Sequence, residues 1–150
     1  MNLPFLRHLP GLGRQPLHQV VATTGATAAE AALHHLLAEL PELLMAAVVK
    51  TDSGQVLASY TSQPQLKPIS AAPAWTALVQ QLQAGQVAQG QADEQLAELL
   101  TTLRSQLHLL RLQPSGQHFI CLVVDAHDTN LALARELVYQ AINLLSASQA

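Results

Sequence analysis

Apolar positions recur along this chain with two different periods, and the period assigns each element. Ala29, Leu33, Leu36, Leu37 and Leu40 follow helical spacing, and Pro41 stops the run. Thr27 and Glu30 stand at the capping-box spacing, in which each side chain satisfies a backbone N–H at a helix start. A first helix is therefore expected from Thr27. The stretch LLMAAVVKTDSGQVLASYT then predicts a hairpin: a strand from Leu44 to Thr51, a turn at Asp52-Ser53-Gly54, and a return strand from Gln55 to Thr61. The first of these strands is apolar on both faces at Ala46, Ala47, Val48 and Val49, the pattern of a strand covered on both sides. The second mostly alternates, as an outer strand does.

TSQPQLKPISAAP is punctuated by Pro64, Pro68 and Pro73 and is expected to be a loop. A second helix should follow it, with Trp75, Leu78, Val79 and Leu82 on one stripe and Gln80, Gln81 and Gln83 on another face. Gly85 and Gly90 weaken it, and QVAQGQADEQ fits either a frayed continuation or a loop. From Leu96 the period is ambiguous. The preferred reading is a strand from Leu99 to Leu103, a tight turn at Arg104-Ser105, and a strand from Gln106 to Gln113. A turn at Pro114-Ser115-Gly116 then leads to a strand from His118 to Asp125, apolar on both faces at FICLVV. Asp128 is expected to cap a final helix that buries Leu131, Ala134, Leu137, Val138, Ala141, Ile142 and Leu145.

The predicted order is αββαβββα. The expected fold class is α/β (α+β): a sandwich with one five-stranded antiparallel sheet and helices on both faces. The Pro-, Gly- and His-rich residues 1–25 are expected to be a flexible N-terminal arm, and residues 26–150 the folded domain. Within the arm, Leu3, Phe5, Leu6 and Leu9 form a short apolar patch able to dock on the domain or on a partner.

Composition narrows the function. A net charge of −3, with seven Lys and Arg that do not cluster, argues against nucleic acid as a partner, since phosphate binding needs a basic patch. One cysteine makes no internal disulfide and fits a reducing compartment. No apolar run approaches the 18 or so residues of a membrane span, and Pro4, Arg7, His8 and Pro10 interrupt any signal-peptide core. The expected address is cytoplasmic.

Specific chemistry is sparse. The chain has no phosphate-loop motif and no G-x-S-x-G elbow, and Gly11-Leu12-Gly13 lacks the third glycine and the preceding strand of a dinucleotide fingerprint. His34 and His35 diverge by about 100° on a helix. His108 and His118 lie on neighbouring strands and could approach each other, but without the Cys or His spacing of a zinc site. Cys121 sits among Ile120, Leu122 and Val123, where a thiol acts as a small hydrophobe. Asp125, His127 and Asp128 could be drawn into a triad with a serine, but helix capping explains them as well. No enzyme, cofactor or metal is expected.

Three segments carry a resemblance: ELPELLMAAVVKTDSGQVLAS with its D-x-G turn, LLTTLRSQLHLLRLQP with an S-Q-x-H-L-x-R pattern, and FICLVVDAHDTNLALAREL with its N-L-A-L-A-R run. They fall between Glu39 and Leu137, and together the chain resembles the Roadblock/dynein-light-chain domain family, in particular its bacterial members. The resemblance implies a non-enzymatic homodimer that presents a platform to a Ras-like small GTPase or to a scaffold subunit, in some members stimulating GTP hydrolysis. Carried onto this chain, it implies a dimer interface of Trp75, Leu78, Leu82, Leu99, Thr101 and Leu103, and a partner-binding face of Gln80, Gln81 and Gln83. A strand at 99–103 without Lys or Pro is itself an unguarded edge. Trp75 fits an interface anchor or the chain's own core. The alternative is a small-ligand sensor of the PAS or GAF type, which would enclose an apolar pocket; scarce aromatic residues count against it.

Overall fold

The computed structural model describes residues 15–147. Along the chain these form β1 (Val21–Ala22), α1 (Thr27–Glu39), β2 (Met45–Lys50), β3 (Val56–Thr61), α2 (Pro68–Ala88), β4 (Glu98–Thr102), β5 (Gln106–Leu112), β6 (His118–Asp125) and α3 (Leu131–Ala147). The strands make one sheet in the order β1-β3-β2-β6-β5-β4, every pair antiparallel. The apolar patch proposed within residues 1–14 lies outside the described residues.

The two strands that read as apolar on both faces, β2 and β6, are the central pair. Successive side chains of a strand point to opposite faces. Ala46, Val48, Ile120, Leu122 and Val124 therefore meet Leu33 and Leu36 of α1 and Val138, Ala141 and Ile142 of α3 in one core. Ala47, Val49, Phe119, Cys121 and Val123 meet Ala72, Trp75 and Val79 of α2 in a second core on the other face. The sheet is thus covered by two helices on one side and by a single helix on the other.

The sheet has six strands rather than five. The additional strand, β1, comes from the segment expected as an arm: Val21 and Ala22 pair with Ser59 and Ala58 of β3. A two-residue strand carries no periodicity, and only the proximity of the β3 edge creates it. The loop through Pro73 is also shorter than expected, because α2 starts at Pro68. Proline at the first helical position loses a donor that would have no partner there. Pro73 sits in the second turn, where it removes the donor for the Ile69 carbonyl, and the helix continues. QVAQ continues the helix to Ala88. Gln91 N–H then reaches Gln86 O at 2.8 Å and Gly90 N–H reaches Val87 O at 3.0 Å, with Gly90 at φ +73°. That is a Schellman stop, which needs a left-handed residue after the helix and finds a glycine there.

Two expected caps are replaced. Thr27 is already helical; Ala26 is the N-cap and contributes no side-chain bond. A turn closed by Ala26 N–H on Thr23 O brings the chain in one residue early, and Glu30 lies 3.7 Å from His34 instead of bonding back. At α3, Asn130 rather than Asp128 caps the helix, its Oδ1 accepting the Leu133 N–H at 3.2 Å. Upstream of it, Asp125 Oδ1 accepts the N–H groups of His127 and Asp128 at 2.8 and 3.0 Å. These two bonds hold its carboxyl below the usual range.

Candidate interaction surface

The two ends of the sheet differ. β3 is covered by β1, whereas β4 pairs with β5 and with no other strand among the described residues. Ala97 O accepts Leu112 N–H at 2.9 Å and Leu103 N–H donates to Gln106 O at 2.8 Å. In an antiparallel ladder such contacts alternate. The odd residues of β4 therefore turn their backbone groups toward β5, and Glu98, Leu100 and Thr102 turn theirs to the open edge. The strand ELLTT has no Lys or Pro, the usual guards of an exposed edge.

Side chains of β4 alternate in the same way. Leu99 packs partly against the core under α2. Thr101 is half-buried on the same face, opposite His108. Leu100, which the resemblance did not single out, lies on the other face and is exposed. Leu103 is exposed too, in the turn just past the strand. On the Leu100 face, Glu98 accepts Arg135 of α3 at 2.8 Å and Arg111 of β5 at 3.3 Å. Arg111 also lies over the Tyr139 ring at 5.4 Å. This network ties β4 to α3, and its members lie too far apart in sequence to be read as a set.

On α2, Trp75, Leu78 and Leu82 share one stripe, but burial separates them. Trp75 is 7% exposed, inside the chain's own core, with its ring edge-on to His108 at 6.3 Å between centroids. Leu78 and Leu82 are 39% and 40% exposed on the flank beside it. Trp75 meets His108 of β5, so this flank lies on the side of α2 that faces β5 rather than β3. The three glutamines do not form one face. Gln80 donates from Nε2 to the carbonyls of Thr51 and Asp52 at 3.0 and 3.4 Å, clamping α2 to the β2–β3 turn. Gln83 is half-buried beside it, and both line an open, polar cleft of about 660 Å³ with Lys50, Thr51 and Gln117. Gln81 points outward, about 160° from Gln83 around the helix.

The histidines do not converge. His108 is opposite Val123, five residues along β6 from His118, so the two residues, though on neighbouring strands, are not cross-strand partners. Burial lowers the pKa of His108. It also lowers that of His118, assisted by Lys50 and opposed by Asp52. His35 Nε2 instead meets Gln140 Oε1 at 2.9 Å, bridging α1 and α3. Cys121 is fully buried, which pushes its thiol pKa well up and keeps it protonated. Among the described residues, no group of three or more His, Cys, Asp or Glu is placed to hold a metal ion. No described helix is long and apolar enough to cross a membrane.

Solved structures superpose on this architecture over most of its length. MglB of Myxococcus xanthus superposes with a TM-score of 0.72 at 16% identity, covering 86% of this chain and 92% of that one. The gliding protein MglB of Thermus thermophilus gives 0.70 at 18% identity, over 91% of this chain and 100% of that one. A Roadblock/LC7 domain from Streptomyces avermitilis gives 0.61 at 16%, over 77% and 90%. The chain has the Roadblock fold. No family model matches it, and no curated protein matches it in sequence. At such low identity the Roadblock likeness is one of architecture.

Proposed function

We propose that this chain is a cytoplasmic, non-enzymatic homodimeric module that binds and regulates a Ras-like small GTPase, as a GTPase-activating or scaffold subunit. The observation that carries the dimer is the open β4 edge beside the exposed flank of Leu78 and Leu82. Two β4 strands pair antiparallel about a twofold axis, with Leu100 near the axis and Glu98 facing Thr102 of the partner. The main-chain groups of Glu98, Leu100 and Thr102 then find partners, and Leu78, Leu82, Leu99, Thr101 and Leu103 surround the seam. Trp75 acts from beneath, holding the helix flank in position. The fused sheet offers its α2 side to the GTPase, where Gln81 makes the outward contact and Gln80 and Gln83 shape the cleft at the β2–β3 turn. The fold shared with MglB and with a Roadblock/LC7 domain supports this reading.

Leu100→Pro tests the dimer. Proline there removes only an outward-facing N–H and leaves the β4–β5 ladder intact, and edge strands tolerate it. The expected result is half the wild-type mass by light scattering with a nearly unchanged melting temperature; an unchanged mass overturns the pairing. Affinity capture in GDP and in a non-hydrolysable GTP analogue tests the partner. A Ras-like GTPase recovered in one nucleotide state is expected, and partners indifferent to nucleotide would move the role to a structural scaffold.

A further inference from the structure

The β3 edge is as unguarded as the β4 edge, but it is covered. VLASYT contains no charge and no proline. Its Leu57, Ser59 and Thr61 turn their backbone groups away from β2, because Ser62 N–H bonds Leu44 O and the bonded positions alternate from there. What meets them is the segment around β1. Thr23 N–H donates to Leu57 O at 2.8 Å and His18 N–H to Thr61 O at 2.8 Å. Val21 stands opposite Ser59, whose hydroxyl accepts from Gln15 Nε2 at 3.1 Å.

The cover is lightly held. None of residues 15–25 is buried; Gln15, Val20 and Ala22 are only half-buried. Val20 and Ala22 pack at the margin of the core under α1, while Leu17 and Val21 are 42% and 39% exposed. The part of the segment that pairs with β3 begins and ends at left-handed residues, Gly25 at φ +83° and His18 at φ +57°. The second costs a side-chain-bearing residue about 1 kcal/mol or more. Beneath the cover, Ala58, Ser59, Tyr60 and Thr61 are buried.

We propose that residues 15–25 are a displaceable strand cover, and that the β3 edge beneath is a second pairing site whose occupant is the β3 edge of another copy of this chain. The edge is self-complementary: pairing about Ser59 sets Leu57 against Thr61 of the other copy, with no charge to desolvate. Where the β4 pairing proposed above also holds, each chain has two different twofold contacts. Those link dimers into an open-ended ladder, and the cover is what ends assembly at two. That last consequence rests on the β4 reading; the cover itself does not.

Proline scanning of the full-length chain tests it. Val21 and Thr23 direct their N–H groups at β3, and Ala22 directs its N–H away. Val21→Pro with Thr23→Pro should at least double the mass seen by light scattering, and Ala22→Pro should leave it unchanged. A peptide of residues 15–25 added in trans should return the double variant to its parent mass. Folded double variant at wild-type mass, or association that the peptide leaves untouched, would overturn the proposal. With Leu100→Pro added, the double variant should stop at dimers. If β4 pairing fails but the cover is real, wild type is a monomer and the double variant a dimer with or without that change. Hydrogen exchange on wild type gives an answer that needs no variant. The Ser59 amide, held by the cover, should exchange on the order of 100-fold faster than the Tyr60 amide, held by β2; equal protection would refute a displaceable cover.

Discussion

Truncating Trp75 separates its two conceivable roles, because one costs fold stability and the other only assembly. The indole is 7% exposed within a single chain. It fills the space between α2 and the β5–β6 side of the sheet, against His108 and the core of Phe119, Cys121 and Val123. A tryptophan of this kind removes roughly 200 Å² from water, worth about 5 kcal/mol at ~25 cal/mol/Å². Residual burial in the unfolded ensemble trims that to about 3–4 kcal/mol, within the usual range for aromatic-to-alanine changes in a core. Trp75→Ala should therefore lower the unfolding free energy extrapolated from urea by that much, with the midpoint falling by this loss divided by the m-value. Most of the loss should persist when the protein is diluted below its association range, because the missing contacts lie within one chain. Trp75→Phe refills part of the space and should recover more than half of the loss. Trp75 is the only tryptophan, so its own emission reports unfolding in wild type, while circular dichroism serves both variants. A cost below about 1 kcal/mol in the dilute chain, together with loss of the dimer, would refute the core assignment and return Trp75 to the interface.

Two further outcomes are expected. Burial lowers the folded pKa of His108, so the unfolded chain takes up this proton first: the stability that the neutral ring contributes is complete above about pH 6.5 and is lost as pH falls from there toward the folded value. The urea midpoint should drop between pH 7.5 and 5.5, and the drop should be shallower in His108→Gln; an equal slope in both would place the dependence elsewhere. Asn130→Ala should cost about 1 kcal/mol through loss of the α3 cap, and Asp128→Ala much less. The reverse ranking in chemical denaturation would restore Asp128 as the cap.

The sequence by itself determined most of the architecture, and the reason is periodicity. Short apolar runs at AAVV and FICLVV, bounded by turn signals and rich in β-branched residues, fit strands covered on both faces, so β2 and β6 are legible as the centre without their neighbours. The 3.6-residue stripes of α1 and α3 were equally plain. Other features depend on neighbours that no local pattern encodes. β1 exists because the β3 edge lies beside it. Thr27 lost its cap to a turn two residues upstream, and α2 absorbed Pro73 because Pro68 had already set its first turn. At the candidate surface, the stripe of Trp75, Leu78 and Leu82 was readable as a stripe, yet burial depends on which side of the helix meets the sheet. Tertiary packing alone turned Trp75 inward and left Leu78 and Leu82 at the flank. The same packing split Gln80 and Gln83 from Gln81, and it brought Glu98 to Arg111 and Arg135 across three elements. A side chain's intrinsic preference is set by its own chemistry and its near neighbours in sequence. Its exposure is set by what the rest of the chain places against it.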